Sequence, residues 1–143
     1  MKKAPTHRLA DRVLWVLGRA SQQSQRLVRL HMTEAGVRTQ HYHVLASLAD
    51  DGEAVQATLA DRIVLDRSDL VTVLDELEAL DYVVRRVDPA DRRRKIVAIT
   101  ATGEKQLVAM DQLIYAAEAE LLEPLSASER KTLLELLGRL TAE

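Results

Sequence analysis

The stretch that decides the fold is Tyr82-Val-Val-Arg-Arg-Val-Asp-Pro-Ala-Asp-Arg-Arg-Arg-Lys-Ile-Val-Ala-Ile-Thr100. Two runs rich in β-branched residues, 82–87 and 96–100, flank a polar turn that contains Pro89. This arrangement predicts a β-hairpin. Residues 85–95 include six cationic and two acidic side chains, a local charge of +4 in a chain of net charge −2, so the remainder carries about −6. A basic projection on an acidic body favours a partner that carries phosphate.

The length and composition indicate one globular domain, or one domain with an oligomerising appendage. The chain has 143 residues, of which 47% are apolar and 29% charged, which are ordinary values. It has no Cys, which excludes disulfides and thiolate zinc sites. No run of 18 apolar residues occurs, so we expect no membrane span. The basic first residues are not followed by an uninterrupted apolar region, so we expect no secretion signal and a cytoplasmic protein.

Helical periodicity predicts helices on both sides of the hairpin. The expected ranges are about 7–34, 39–49, 55–64, 66–80, 103–122 and 126–140. In the helix at 66–80, Asp66 or Ser68 can cap the first amides. Its apolar stripe, which should face a core, consists of Leu70, Val73, Leu74, Leu77 and Leu80. Ser126 followed by Glu129 predicts a capping box at the last helix.

The order of these elements predicts a mainly α fold with a small β-hairpin. Three short helices and a hairpin, over about 39–100, form a winged helix-turn-helix lobe. The helices at about 7–34 and 103–140 carry more apolar surface than two isolated helices can bury, so we expect them to dimerise. A two-fold dimer would present two recognition helices and two wings to a palindromic duplex.

Several segments resemble the MarR family of bacterial transcription regulators. They are Leu59-Ala-Asp-Arg62, Leu65-Asp-Arg-Ser-Asp-Leu-Val-Thr-Val-Leu-Asp-Glu-Leu-Glu78, Asp88-Pro-Ala-Asp-Arg-Arg93 and Ile99-Thr-Ala-Thr-Gly103. The wing motif followed at this spacing by Thr-x-x-Gly is the specific part. The resemblance implies one domain over residues 1–143, a triangular helical dimer with a β-wing, and operator binding. In the family that binding is often relieved by a small ligand held between the dimer helices and the DNA-binding lobe.

Two positions depart from the family pattern. A Gly commonly lies between the second and third helices of the motif, and Val64 stands there, which implies a different turn. The Gly that usually ends the recognition helix is Asp81. Asp tolerates the left-handed conformation better than most residues, so this cap can survive.

The wing supplies the first candidate DNA contacts, Arg92, Arg93 and Arg94. Arginine fits a narrow, electronegative minor groove, and a solvated hairpin tip is the alternative. Asp91 is placed to hold Arg93 by a salt bridge, and Asp88 to cap the turn.

The recognition helix supplies the second set of candidates, Arg67, Ser68, Asp69 and Thr72. These side chains can touch base edges in a major groove, and the first turn can donate amides to phosphate. Its other acidic residues, Asp75, Glu76 and Glu78, are expected to reduce non-specific affinity for DNA.

A small-molecule pocket is a weaker hypothesis. Its candidates, for which simple packing is the alternative, are Trp15, Arg19, His41, Tyr42 and Tyr115. The four His residues lack metal-ligand spacing, because His41 and His43 do not share a helical face. We therefore expect no metal.

No motif indicates catalysis or a cofactor. The chain has no Gly-rich phosphate loop, nucleophile elbow or paired-acid motif, so we expect neither an enzyme nor a bound cofactor. The favoured hypothesis is a homodimeric, sequence-specific DNA-binding regulator, in particular a repressor that a small ligand releases. The alternative is a winged-helix protein-interaction module that does not bind DNA, which the acidic recognition helix favours.

Overall fold

The computed structural model describes residues 7–142. The elements are α1 His7–Ala10, α2 Val13–Glu34, α3 Thr39–Asp51, β1 Ala54–Val55, α4 Gln56–Ile63, α5 Arg67–Ala79, β2 Val83–Val87, β3 Lys95–Ile99, α6 Ala101–Leu121 and α7 Ala127–Thr141. Residues 1–6, on which the expectation of no secretion signal rests, lie outside the described part. Within that part, no helix combines the length and hydropathy that a membrane crossing requires.

The first predicted helix is divided in two. The amide of Arg12 donates to the carbonyl oxygen of Leu9 over 3.0 Å, a three-residue reach that tightens the chain and ends α1. The carbonyl of Arg12 then accepts from Val16, also at 3.0 Å, and α2 begins. The prediction of one uninterrupted helix over 7–34 is therefore wrong at residues 11–12.

The predicted hairpin is confirmed, and it belongs to a three-stranded antiparallel sheet of order β1-β3-β2. In the hairpin, Val83 pairs with Ile99 and Val87 with Lys95. The short strand β1 pairs Ala54 with Val97 on the other side of β3. The sequence prediction missed β1 and gave Val55 to a helix, because two residues are too few for a periodic signal.

The helices and strands between Met32 and Leu113 form one compact unit. Its core is aliphatic, and side chains that are almost completely buried include Met32, Leu45, Leu59, Leu70, Leu74, Leu77, Val83, Val97 and Met110. The predicted stripe of α5 is thus confirmed at four of its five positions. Leu80 is 44% exposed, because it is the C-cap residue, with φ −90° and ψ 1°, and no longer follows the helical face.

The second unit combines the residues up to His31 with those from Ile114 onward. Among its described residues only Leu27 and Ala117 are buried apolar side chains, and α7 buries none. The large apolar side chains left exposed include Leu9, Val13, Leu14, Trp15, Val16, Leu30, Tyr115, Leu134, Leu136 and Leu140. A surface of this kind is typical of a helical face that packs on a partner.

Among residues 7–142, two residues other than glycine adopt positive φ, and they occupy the two positions that depart from the family pattern. Val64 has φ 53° and ψ 53° and caps α4, while Asp81 has φ 61° and follows α5. The expectation of a different turn at Val64 is wrong, because the chain keeps the left-handed turn. A β-branched residue accepts this conformation only at an energetic cost.

The Thr-x-x-Gly motif joins the sheet to α6. Thr100 caps the helix, because its Oγ1 accepts from the Gly103 amide at 3.0 Å and donates to the Asp81 carbonyl at 2.5 Å. A Cβ at position 103 would overlap the Tyr82 carbonyl oxygen. This position therefore requires Gly on steric grounds.

Candidate nucleic-acid interface

The recognition helix α5 begins with a side-chain cap. Asp66 has extended backbone, and its Oδ1 accepts from the Ser68 amide at 2.9 Å. The Ser68 hydroxyl also donates to Asp66 Oδ1, at 3.0 Å. The bond from the Ser68 amide first, and that from the hydroxyl second, hold the pKa of Asp66 below its ordinary value. The predicted cap is confirmed. It uses the Ser68 amide, so that amide is not free for a phosphate.

Burial of the apolar stripe directs a polar face outward. Leu70, Leu74 and Leu77 are buried, whereas Ser68 and Thr72, one helical turn apart on the opposite side, are exposed. Since side chains four residues apart lie on the same helical face, these two hydroxyls share one exposed face of α5.

Three acidic residues of α5, Asp75, Glu76 and Glu78, form ion pairs within the protein. For two of them the partner is Arg85 of β2, which donates to Asp75 Oδ1 at 2.6 Å and to Glu78 Oε2 at 2.8 Å. Its pKa is raised, first by the hydrogen bond with Glu78. The expected repulsion between DNA and the acidic residues of α5 is therefore weaker than the sequence indicated.

Glu76 is paired from the opposite side. Arg38 donates to both of its carboxylate oxygens, at 2.8 and 2.9 Å. His41 is buried, and its ring Nδ1 accepts a hydrogen bond from the Arg38 amide. The ring proton therefore lies on Nε2, which donates to Glu76 Oε2 at 2.6 Å. These bonds, that of His41 first, lower the pKa of Glu76. Asp69 is thus the one acidic side chain of α5 without an ion pair in the described chain.

The wing loop has an internal acidic anchor. Asp91 accepts from Arg93 Nε at 3.0 Å and Nη2 at 3.1 Å, and it lies 3.3 Å from Arg94 Nε. The Arg93 side chain is the main reason why the pKa of Asp91 is lowered. Asp88 Oδ1 accepts from the Ala90 amide at 2.9 Å. Both sequence-based expectations, the Asp91–Arg93 salt bridge and the Asp88 turn, are confirmed.

The cations of the hairpin fall into two groups. Arg85 is held by α5, and Arg86 donates to Glu53 at 2.6 and 2.9 Å, so the local charge of +4 does not describe the loop itself. The loop presents four cations, Arg92 to Lys95, against Asp88 and Asp91, a net charge of +2. Arg93 keeps 90% of its side chain exposed despite its salt bridge. Arg92 is exposed and has no ion pair with any described residue.

A cationic cleft joins the wing to the recognition helix. It is a cavity of about 580 Å³, lined on the helix side by Arg67, Leu70 and Val71. The wing side contributes Arg93, Arg94 and Lys95, and Val55–Thr58 complete the lining. The sequence interpretation missed Val71, although it is 40% exposed and lies one turn from Arg67. Helical spacing alone would have found it.

The five predicted pocket residues do not share one setting. Trp15 and Arg19 line a cavity of about 870 Å³ together with Leu9, Gln22, Arg26 and Leu121. His41 instead contacts Glu76, and the Tyr42 hydroxyl donates to Asp111 at 2.8 Å, so both serve contacts inside the unit that contains α5. Tyr115, which is 60% exposed, does not line the cavity at Trp15.

The structure describes the side chains of three of the four histidines, His31, His41 and His43. Within the described part, no group of three or more His, Asp or Glu residues is arranged to hold a metal ion. His31 pairs with Glu120 at 2.8 Å, and His43 is exposed.

Comparisons with known proteins agree on the family and the fold. Residues 35–94 match the model described as "MarR family". A relative from Thauera aromatica, a putative transcriptional regulatory protein for the hcr operon, is 33% identical over 81% of this chain and 70% of its own length. A MarR-family regulator from Rhodococcus sp. RHA1 is 27% identical, with TM-score 0.81, over 92% of this chain and 94% of that one. The structure of the transcriptional repressor CouR bound to a 23-mer DNA duplex has TM-score 0.87 at 24% identity, covering 99% and 100% of the two chains. The predicted winged helix-turn-helix fold is confirmed.

Proposed function

Since the chain belongs to the MarR family, whose members are transcriptional regulators and not enzymes, we propose that it binds operator DNA as a homodimer and represses transcription. The cationic cleft between Arg67 and the residues Arg93 to Lys95 is the observation that carries this proposal. A duplex backbone supplies the phosphates that such a cleft attracts. Repression is proposed from the likeness to CouR, which is a repressor.

In this proposal the wing and α5 contact different grooves of the duplex. Arg92, Arg93 and Arg94 of the wing enter a minor groove or contact its phosphates, where arginine is favoured by the narrow, negative groove. Arg67, Ser68, Asp69 and Thr72 of α5 face the major groove, where base edges differ. The pairing of Asp75, Glu76 and Glu78 supports this assignment, because it lowers the repulsion that favoured a protein-interaction module.

The dimer is proposed from the unburied apolar surface. We propose that the described ends of the chain, about 7–34 and 103–140, join two copies, so that residues 1–143 work as one domain and meet a palindromic operator. Leu14 is 84% and Leu134 is 73% exposed, and a small domain rarely leaves such side chains in water. A stable, folded monomer at micromolar concentration in a sedimentation experiment would contradict this.

Release by a small ligand is proposed from the cavity at Trp15 and Arg19. An indole and a guanidinium at one cavity suit a ligand with an apolar body and an anionic group. His41 and Tyr42 are not part of this proposal, because both are bonded elsewhere. A ligand of this type should lower operator affinity, and Arg19→Ala should weaken that response while leaving ligand-free binding in place.

The test of DNA binding starts from fragments that the purified protein selects from genomic DNA. We expect affinity for a selected duplex to exceed that for a scrambled one and to fall as salt rises. Ser68→Ala and Thr72→Ala should reduce this ratio, at a cost on the order of 1–3 kcal/mol for each lost base contact. DNA affinity that depends on neither salt nor sequence would favour the protein-interaction module. Because operator binding requires access to the chromosome, we also propose a cytoplasmic protein.

A further inference from the structure

The hydroxyl proton of Ser68 is committed inside the protein. Ser68 Oγ lies 3.0 Å from Asp66 Oδ1, the same oxygen that accepts the Ser68 amide. An ionised carboxylate only accepts hydrogen bonds, so the hydroxyl is the donor of this pair. The oxygen of Ser68 is left with lone pairs for an outside partner and no proton.

The Thr72 hydroxyl also directs its proton toward an acceptor within the protein, although through a longer hydrogen bond. Its Oγ1 lies 3.4 Å from the Ser68 carbonyl oxygen, which also only accepts. Asp69, beside these residues on the first turn, has no described ion pair and accepts hydrogen bonds when ionised. The polar atoms on this part of α5 are therefore acceptors, and the cation Arg67 lines the cleft instead.

The major-groove edges of the bases differ in what they offer to such a surface. Adenine presents the N6 amine and cytosine the N4 amine, whereas guanine presents only the acceptors N7 and O6. To bind guanine, Ser68 would have to turn its proton away from Asp66. Hydrogen bonds to an ionised group are roughly twice as strong as those between neutral groups, so this exchange is unfavourable.

We propose that Ser68 reads an exocyclic amine of adenine or cytosine, and that Asp66 is the positioning residue that fixes its hydroxyl oxygen as an acceptor. This inference rests on the proposed function and narrows it to a class of operator base. Thr72 reinforces the preference, because its longer bond to the Ser68 carbonyl directs its proton inward as well.

The test uses a duplex that the dimer selects from a random-sequence library. Comparison of wild type with Ser68→Ala over single base-pair changes identifies the position that Ser68 reads. At that position, adenine is replaced by purine, which lacks the amine, or by 7-deazaadenine, which lacks the N7 acceptor. For a cytosine, pyrimidin-2-one removes the amine.

We expect loss of the amine to weaken wild-type binding about five- to ten-fold, as for one hydrogen bond, and to leave Ser68→Ala unchanged. Removal of N7 should be tolerated by both proteins. If binding depended on N7 and not on the amine, Ser68 would be a donor and the inference would be overturned. The absence of any position whose readout depends on Ser68 would also overturn it. A protein that selects no duplex would instead refute the proposed function itself.

Asp66→Asn separates positioning from simple charge. Asn can still cap the helix, but its neutral oxygen holds the Ser68 proton less firmly. We expect discrimination between the amine-bearing base, adenine or cytosine, and guanine at the Ser68 position to fall several-fold. Asp61→Asn removes the same charge from an exposed position on the neighbouring helix α4, outside the proposed base contacts, and it should leave this ratio in place. Equal effects of the two substitutions on the ratio would overturn the role of Asp66.

Discussion

Arg85 of the wing and Asp75 of the recognition helix form an ion pair with a nitrogen–oxygen distance of 2.6 Å. The Arg85 side chain is only 19% exposed, and it also bonds Glu78. One guanidinium therefore fixes the wing against α5 and compensates two carboxylates on a surface that is proposed to meet DNA.

Arg85→Ala should weaken operator binding roughly five- to ten-fold, because two uncompensated carboxylates then face the phosphates. In an Asp75→Asn/Glu78→Gln background the same substitution should cost little, since no carboxylate remains to compensate. The measurement is operator affinity at one salt concentration in both backgrounds. An equal loss in both would mean that Arg85 contacts DNA directly.

Alanine substitution of Arg92, Arg93 or Arg94 should weaken binding to every duplex by a similar factor. Each lost phosphate contact should lower the slope of log affinity against log salt by about 1. Arg86→Ala is the matched control, because Arg86 lies in the same hairpin but is bonded to Glu53. Unchanged slopes for all three loop variants would contradict the assignment of the wing.

Local signals in the sequence predicted the local structure. The alternating runs predicted the hairpin, Asp66 and Ser126 predicted caps that the structure contains, and Asp91 predicted its bond with Arg93 two residues away. In each case the partners are close in the chain, so spacing alone brings them together.

The unpredicted features depend on contacts between distant residues. His41 is 35 positions from Glu76, and no spacing rule links them, so its burial could not be separated from a pocket role. The same holds for the pairing of Arg86 with Glu53, which makes a residue of the basic run a structural one. Strand β1 is too short for a periodic signal, and its pairing with β3 joins residues about forty apart in the chain, so no local pattern indicated it.

Val64→Gly should stabilise the protein. A left-handed residue with a β-carbon costs roughly 1–2 kcal/mol. The greater freedom of Gly in the unfolded chain offsets about 0.5–1 kcal/mol of the gain from removing this strain. The expected gain is therefore about 1 kcal/mol in urea unfolding. Val64 is 91% exposed, so little packing is lost. Val64→Ala retains the left-handed strain and should change stability little, and a destabilised Gly variant would contradict the argument.

Gly103→Ala should destabilise the protein by about 1–3 kcal/mol, as overpacking does. The new Cβ would overlap the Tyr82 carbonyl and contact Ile99 Cγ1 at 2.9 Å. Gly18→Ala is the matched control, because no heavy atom lies within 4 Å of its built Cβ and Ala is favoured in helices. Its midpoint of thermal unfolding should stay constant or rise. A similar loss for both variants would contradict the steric role of Gly103.

The Glu76 cluster should make stability depend on pH on the acid side. The pKa of Glu76 is lowered in the folded protein, first by the hydrogen bond with His41. Its contribution is therefore fully present above its ordinary pKa of 4.5 and is lost as the pH falls through the lower folded value. Glu76→Gln should lower the midpoint of thermal unfolding at pH 6 and reduce its fall between pH 5 and pH 3.

The control for this experiment is Glu123→Gln, which alters an exposed carboxylate without an ion pair in the described chain. It should leave both the midpoint and its pH dependence close to wild type. Because Glu76 is 39% exposed, solvent screening keeps the effect modest, so the shape of the pH profile is the decisive readout. Parallel profiles for wild type and Glu76→Gln would mean that the carboxylate does not hold α5 against His41 and Arg38.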